Sequence, residues 1–588
     1  MSDSPKHPIP RQLIICCDGT NNNLTGGQAD TNVVKLVQLL AQSAADPTRL
    51  VFYDPGVGNA GELPGVTLID RWNRQAERLA SLAFGRGVYE NMAQCYLFLM
   101  KNYQPGDHIY IFGFSRGAFT ARSFAGLINQ FGVLVPHMES MVHTLVHLYF
   151  SNREHHLDQI KAIARQTTDL FAAPLSRYVE IQFVGVWDTV ASVGLWPFDA
   201  QITAKPTIQN KRFINVRHAL ALDEHRAQFQ PRLYTDNNTI NSNTDDSADP
   251  PLAYMTEQGT PVSIKQFWFR GAHGDVGGGF AVDDSAISDQ AFMWLVSEAV
   301  QCGLFLSDDD GLLITEAAVG RALQRFDPAH HPALPHTIVH SQLRKVPFWA
   351  LTGMQVRSTT TVKLDNGQSF SVKPVEHPSV AAQLHFPKDT VWAKSHDRGS
   401  FWLGLGLVVF FLLLVGYFQT NPSNADFSGG VSLKDLGGYL QQNTRFLEWQ
   451  LLWWLNGNLE TGIFQFASPR VTLLFDFALI ATYAYVLSWL VVRAFARIAG
   501  LRRAGDGAED FKMTWLNRLG WALPLAVFSD VAENVMTLVV IQCISANWQL
   551  LGKLSAVAMS VFTASNLIGL LGVLVLLIWS LAVHVPKP

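Results

Sequence analysis

The stretch His108-Ile-Tyr-Ile-Phe-Gly113-Phe-Ser115-Arg-Gly117-Ala118 decides how the rest of the chain is read. Ile109 to Phe112 is a continuously apolar run, as a strand covered on both faces requires. Ala118 to Gln130 is free of proline and reads as a helix. Between them lies G-x-S-x-G. A strand that turns into a helix this abruptly crowds its own backbone. Glycines two before and two after the serine relieve the clash, and the hydroxyl then projects above the sheet. Gly113 and Gly117 are therefore expected to frame a nucleophile elbow with Ser115 as the nucleophile. The start of the following helix favours developing negative charge there.

Working outward, short apolar runs alternate with longer helical patterns, the signature of a largely parallel sheet with helices on both faces. Strands are expected at Leu13 to Cys17, Leu50 to Tyr53, Val179 to Trp187 and Ser263 to Phe269. Helices are expected at Asn32 to Ala45, Ala76 to Lys101 and Ile287 to Cys302, and a helix over Val216 to Arg226 accounts for His218 and His225 as structural residues. Residues 10–390 thus read as an α/β domain with a helical insert at 136–166 and a polar one at 236–251.

A nucleophilic serine needs a base and an acid, which in this architecture follow it in the order acid, then histidine. Asp188 comes directly after the strand Ile181-Gln-Phe-Val-Gly-Val-Trp187. Asp18 and Asp54 also end strands but precede the serine, so they read as loop-ordering carboxylates. His273 lies in the glycine-rich turn Gly271-Ala-His-Gly-Asp-Val-Gly-Gly-Gly279, which can aim it back toward Ser115. The chemistry expected is acyl transfer, with backbone N–H groups of Arg116 and of Gly19 or Thr20 forming the oxyanion hole. No metal or organic cofactor is expected.

The chain has 588 residues, 48% apolar and only 16% charged, against roughly a quarter charged in ordinary soluble domains. That composition excludes a disordered or nucleic-acid-coating chain, and a net charge of -4 gives no general pull toward polyanions. The apolar excess sits beyond residue 400. Four spans, 401–418, 471–492, 521–544 and 561–583, are long enough to cross a bilayer, making 401–588 an all-α multi-span membrane domain. The Trp-rich run Trp449 to Leu455 reads as interfacial. Ten flanking basic residues fall on one side of these spans and four on the other, which places both termini in the cytoplasm. Asp530 and Glu533 share one helical face near mid-span and read as a packing seam, with a proton or ion path as the alternative.

Five cysteines without a C-x-x-C pair indicate neither a disulfide framework nor a thiolate zinc site. Met1 to Pro10 holds no apolar run, so no cleavable signal peptide is expected. Gly56-Val-Gly-Asn-Ala-Gly61 is followed by Pro64 and Gly65 where a dinucleotide-binding helix would open, so that site is discounted. His143 and His147 are spaced for a shared metal but lack the H-E-x-x-H pattern, and Asp245, Asp246 and Asp249 read as turn polarity.

Six motifs in order, Cys17-Asp-Gly-Thr-Asn-Asn22, Tyr53-Asp-Pro-Gly-Val-Gly58, Gly113 to Ala118, Val186-Trp-Asp-Thr-Val190, Ala219-Leu-Ala-Leu-Asp-Glu224 and Gly271 to Gly279, resemble the bacterial hydrolase family that includes the type VI secretion phospholipase effectors. The resemblance covers roughly 10–390. It implies an α/β-hydrolase that cleaves acyl esters of phospholipids, and it matches Ser115, Asp188 and His273 to the catalytic positions. It also implies a phospholipid membrane, a secretion apparatus and an immunity protein as partners. The spans fit a multi-pass protein of a bacterial inner membrane, with delivery into a target cell as the alternative. Two further readings stay open: a transport or signalling protein whose hydrolase-like domain only binds, and an esterase or thioesterase acting on small soluble substrates.

Overall fold

A computed structural model of the chain describes residues 10–19, 29–41, 48–56, 86–151, 176–190, 192–193, 200–201, 213–231, 233–234, 260–281, 285–304, 339–357, 360–363, 369–372, 377, 402–410, 469–499, 509–546 and 548–582. They fall into two compact units. The first takes Met1–Glu224, Gln228–His340 and Arg357–Ala393, and the second takes His225–Ala227, Ser341–Val356 and Lys394–Pro588.

The first unit is built on six parallel strands: β1 (Gln12–Cys17), β2 (Arg49–Asp54), β3 (His108–Phe114), β4 (Ile181–Trp187), β5 (Phe213–Ala221) and β6 (Ser263–Phe269). Their order across the sheet is β6-β5-β4-β3-β1-β2. Successive side chains of a strand face opposite ways, and β1 shows what that does. Leu13, Ile15 and Cys17 enter one core, with Met92, Tyr96 and Leu99 of α2 (Arg86–Asn102) and Phe124, Leu127 and Ile128 of α3 (Arg116–Phe131). Ile14 and Cys16 enter the other, with Val33, Leu36 and Leu40 of α1 (Asn32–Ala41) and Phe292, Leu295 and Val296 of α6 (Ala286–Gln301). Each fully buried Leu, Ile or Phe contributes about 1.5–3 kcal/mol, so both faces hold the sheet.

One expected helix is a strand. Val216 to Arg226 does not continue as a helix, because Phe213–Ala221 is β5, paired in parallel with β4 on one side and β6 on the other. A short apolar run fits either structure by pattern, and pairing with two strands resolved it as sheet. His218 is thereby a buried strand residue, and His225 lies beyond the strand. The insert expected at 136–166 opens with a 3₁₀ turn over Pro136–Met141 and continues as α4 (Val142–Ser151). Its remainder and the insert at 236–251 lie outside the described residues.

The register sets where the site can be. Cys17 pairs with Gly113 and Phe114 with Trp187, so Asp18, Ser115 and Asp188 leave the sheet along one edge. The connection from β1 leads to β2 on one side, whereas β3 leads on to β4 on the other. That reversal opens a crevice at the carboxyl ends of β1 and β3, where ligands of open α/β sheets bind.

The second unit is helical, with α7 (Pro469–Ala499), α8 (Glu509–Leu519), α9 (Ala522–Ser545) and α10 (Gln549–Ala582). Its core gathers Ile480, Val491, Phe495, Leu523 and Leu576 with Leu343, Ala350 and Met354. A Cβ on Gly569 would stand 2.5 Å from the Ala526 nitrogen, so α9 and α10 approach closely over small residues. Among the described residues three stretches, Phe477–Ala499, Thr514–Val540 and Leu550–Ala582, are long and apolar enough to cross a membrane. Of the expected span 401–418, residues 402–410 are helical and the rest lies outside the described residues, as does Trp449 to Leu455. The last helix starts at Gln549 rather than at 561, so Lys553 belongs to it. Tyr483 of α7 donates a hydrogen bond to Asp530 of α9, which gives that carboxylate a packing partner.

Candidate active site

Ser115 stands between β3 and α3 with φ 58° and ψ −122°, a conformation a side chain rarely takes. Its N–H donates to the carbonyl of Trp187 at 3.1 Å, tying the turn to β4. The flanking glycines are sterically required. A Cβ on Gly113 would lie 2.5 Å from the carbonyl oxygen of Gly117, and one on Gly117 would lie 2.2 Å from that of Cys17.

Asp188 is the other non-glycine residue with positive φ among the described residues, at 38°. Its N–H donates to Ala219 at 2.7 Å, and its Oδ1 accepts the Ala221 N–H at 2.9 Å, so β5 holds it at both ends. His273 opens a five-residue helix, α5 (His273–Gly277). Asp223, just past β5, fixes the approach to that helix by accepting from the Gly271 N–H at 2.8 Å and pairing with Arg270 at 2.8 Å. Glu224 accepts the His273 N–H at 3.3 Å.

These supports bring three side chains into one row. His273 Nδ1 lies 2.6 Å from Asp188 Oδ2, and His273 Nε2 lies 2.8 Å from Ser115 Oγ. A carboxylate at Nδ1 selects the tautomer whose proton is there, which leaves Nε2 to accept from the serine hydroxyl. The imidazole packs against the rings of Phe114 and Phe229, at centroid distances of 4.8 and 5.1 Å.

Arg357 completes the surroundings of Asp188, and sequence reasoning missed it. Its guanidinium reaches both carboxylate oxygens, Nη1 to Oδ1 at 2.7 Å and Nη2 to Oδ2 at 3.2 Å, and neither side chain is exposed. It also donates to the carbonyls of Ala221 and Phe229. Burial would raise the Asp188 pKa, but the Arg357 charge, then the His273 hydrogen bond, outweigh it and hold Asp188 well below the usual carboxylate range. Met354-Gln-Val-Arg357 matches no motif, and only the fold brings this residue to Asp188.

The expected oxyanion donors divide. Arg116 opens α3, whose first N–H groups have no partner within the helix; burial pushes its guanidinium down to about 10. Gly19 N–H donates to Asp18 Oδ1 at 2.6 Å, so that donor is engaged in this structure. Thr20 lies outside the described residues. Asp18 also accepts from Thr31 and Tyr53, at 2.8 and 3.0 Å, so its bonds here order the loop.

His218 accepts the Thr189 N–H at 3.2 Å, and burial pushes it down to about 3, which keeps it a neutral structural residue. His143 lies 4.0 Å from Glu90 and His147 packs on Tyr89. Cys17, Cys95 and Asp54 bring potential metal-ligand atoms within 4.8 Å of one another, a grouping that sequence spacing did not disclose. The Cys95 hydrogen bond and burial push the Cys17 thiol far up, so it packs as a neutral group. All five cysteines are free.

Comparison with known proteins agrees with the motifs over part of the chain. Residues 11–298 match the family model described as type VI secretion system, phospholipase effector Tle1-like, catalytic domain. The match ends well before 390, and Arg357 lies outside it. Among curated proteins, an uncharacterised protein of Saccharomyces cerevisiae is 33% identical over 231 residues, 38% of this chain. The chain spans about a third of the length of that relative, 33%.

Proposed function

We propose that this protein is a serine hydrolase that cleaves acyl esters of phospholipids, with Ser115 as nucleophile, His273 as general base and Asp188 as the acid that orients it. The observation that carries the reading is the His273 ring, hydrogen-bonded to Ser115 Oγ on one side and Asp188 on the other. The positive φ of both Ser115 and Asp188 supports it, since strained backbone concentrates at functional sites. The phospholipase family matched by residues 11–298 supports the substrate class, and the six-strand order with the serine after β3 supports an α/β-hydrolase-like fold.

In the reaction, His273 Nε2 takes the hydroxyl proton as Ser115 Oγ attacks the ester carbonyl. Asp188 stabilises the imidazolium, and backbone N–H groups at the start of α3, beginning with Arg116, receive the oxyanion. His273 returns the proton to the leaving alcohol. Water then attacks the acyl-serine with His273 as base again, releasing the fatty acid and restoring the serine.

The second unit serves as a membrane anchor in this reading. The apolar stretches between Phe477 and Ala582 support it, with both termini cytoplasmic at a bacterial inner membrane. Delivery by a type VI secretion apparatus, opposed by an immunity protein, is the alternative that the family description favours. A fluorophosphonate probe and a fatty-acid release assay on phospholipid–detergent micelles test the chemistry. Ser115→Ala is expected to lose labelling and to lower kcat/KM by about 10⁴-fold or more. Labelling and lipid release at the wild-type level in Ser115→Ala overturn the assignment.

A further inference from the structure

We infer that Arg357, outside the matched catalytic region, is a positioning residue of the site: it holds the Asp188 carboxylate in the orientation that aims His273 at Ser115. The inference rests on the hydrolase reading above. Asp188 has two oxygens, and both are committed. Oδ2 faces His273 Nδ1 at 2.6 Å and Arg357 Nη2 at 3.2 Å, while Oδ1 takes Arg357 Nη1 at 2.7 Å and the Ala221 N–H at 2.9 Å.

A planar fork against a planar carboxylate fixes the rotation of the carboxylate as well as its position, which a point charge does not. The arginine is itself held by the carbonyls of Ala221 and Phe229, so its geometry is set by β5 and by the loop whose Phe229 ring packs on His273. The angle of the imidazole thus depends on a residue that touches neither the serine nor any group it attacks.

A second bond from the same downstream part of the chain acts on the helix carrying His273. His340 Nδ1 lies 2.6 Å from Asp275 Oδ1, and the His340 N–H donates to Asp275 Oδ2 at 2.9 Å. Asp275 Oδ2 in turn accepts the Ala272 N–H at 2.8 Å and closes the start of α5. Residues beyond 298 therefore support both the acid and the base of the site.

Among the described residues, the charged and titratable groups around the Asp188–His273 couple include Arg357, His218 on β5, Glu224 at the His273 backbone and Asp275 on α5. Among the described residues, Arg357 is the arginine or lysine that pairs with Asp188. Removing its charge lets the couple hold a proton more tightly, which moves the acid limb of kcat/KM to higher pH.

The test uses the full chain in detergent, with kcat per site counted by fluorophosphonate titration, so that a misfolded fraction does not enter the rate. Arg357→Gln is expected to lower kcat per titrated site about 100-fold with KM within about twofold, and to raise the acid limb by about one pH unit. Arg357→Lys, which keeps the charge and loses the fork, is expected to lower kcat about 10-fold with the limb unmoved. Wild-type kcat per site and an unmoved limb in Arg357→Gln overturn the inference while leaving the hydrolase reading intact if Ser115→Ala is inactive. If Arg357→Gln does not fold, Arg357→Lys decides alone, and a kcat per site within about twofold of wild type overturns it. Activity retained by Ser115→Ala instead removes the reading on which the inference rests.

Discussion

The two units use the same apolar residues in opposite ways. In the first, Leu13, Ile14, Ile111 and Phe292 are fully buried against the sheet, and buried polar groups such as Asp188, Arg357 and His273 are paired in a row. In the second, α10 turns large apolar side chains outward: Leu567, Leu571, Leu574, Ile578 and Leu581 recur every three or four residues and each is more than half exposed. A water-soluble surface rarely carries so continuous an apolar stripe. The difference teaches that one sequence code, apolar at helical or strand period, serves two purposes here. Around the sheet it packs both faces into buried cores, and along α10 it leaves an apolar stripe facing outward.

Charging the stripe is the largest way to break that contrast. Leu571→Lys with Leu574→Lys places two ammonium groups mid-helix, each at about 2.5–3.5 kcal/mol on insertion. The carbonate-resistant membrane fraction is expected to fall sharply while soluble-phase fluorophosphonate labelling persists. An unchanged membrane fraction removes lipid as the solvent of α10. Val51, exposed on β2, supplies the control, because Val51→Lys is expected to change stability by no more than about 0.5 kcal/mol.

Gly117→Ala comes next and sharpens the first half of the comparison. Its Cβ would meet the backbone oxygens of Cys17 and Asp18 at 2.2 and 2.4 Å, neither of which a side-chain rotation can move. A loss of about 3 kcal/mol is expected, read as a lower Tm together with slower probe labelling. A wild-type Tm would show that the close approach of α3 to β1 is not a constraint.

The smallest effect concerns Asp54. Burial raises its pKa to about 6, despite the hydrogen bonds from Gly56 and Asn91 that favour the charged form. The unfolded carboxyl ionises near 3.9, so between about pH 4 and 6 the folded state binds the extra proton, and stability falls as pH rises through that window. Asp54→Asn removes the cost and keeps an acceptor for the Gly56 N–H. Its Tm in detergent is expected to exceed that of the wild type at pH 8, by the equivalent of at most about 3 kcal/mol, and to match it near pH 4. Equal pH dependence in the two proteins refutes the burial argument.

How far the site was legible depended on distance along the chain. The turn at Ser115 was legible because its constraint is local: the strand, the two glycines and the helix are contiguous. Asp188 and His273 were reachable because each directly follows a strand or strand-end loop that the pattern reveals. β5 was misread as helix because a nine-residue run with apolar residues at 213, 214, 216, 219, 220 and 221 fits both periods. Arg357 carried no signal at all, since its meaning comes wholly from a carboxylate 169 positions earlier.

By itself, then, the sequence determined where the long apolar helices fall, the alternation that builds a parallel sheet and the serine turn, because each follows from neighbours within one or two elements. The tertiary structure decided which strands pair, which carboxylate faces the histidine and which arginine holds that carboxylate. Those choices depend on register and on pairing buried charge, and both are settled only when distant segments are packed together with water excluded.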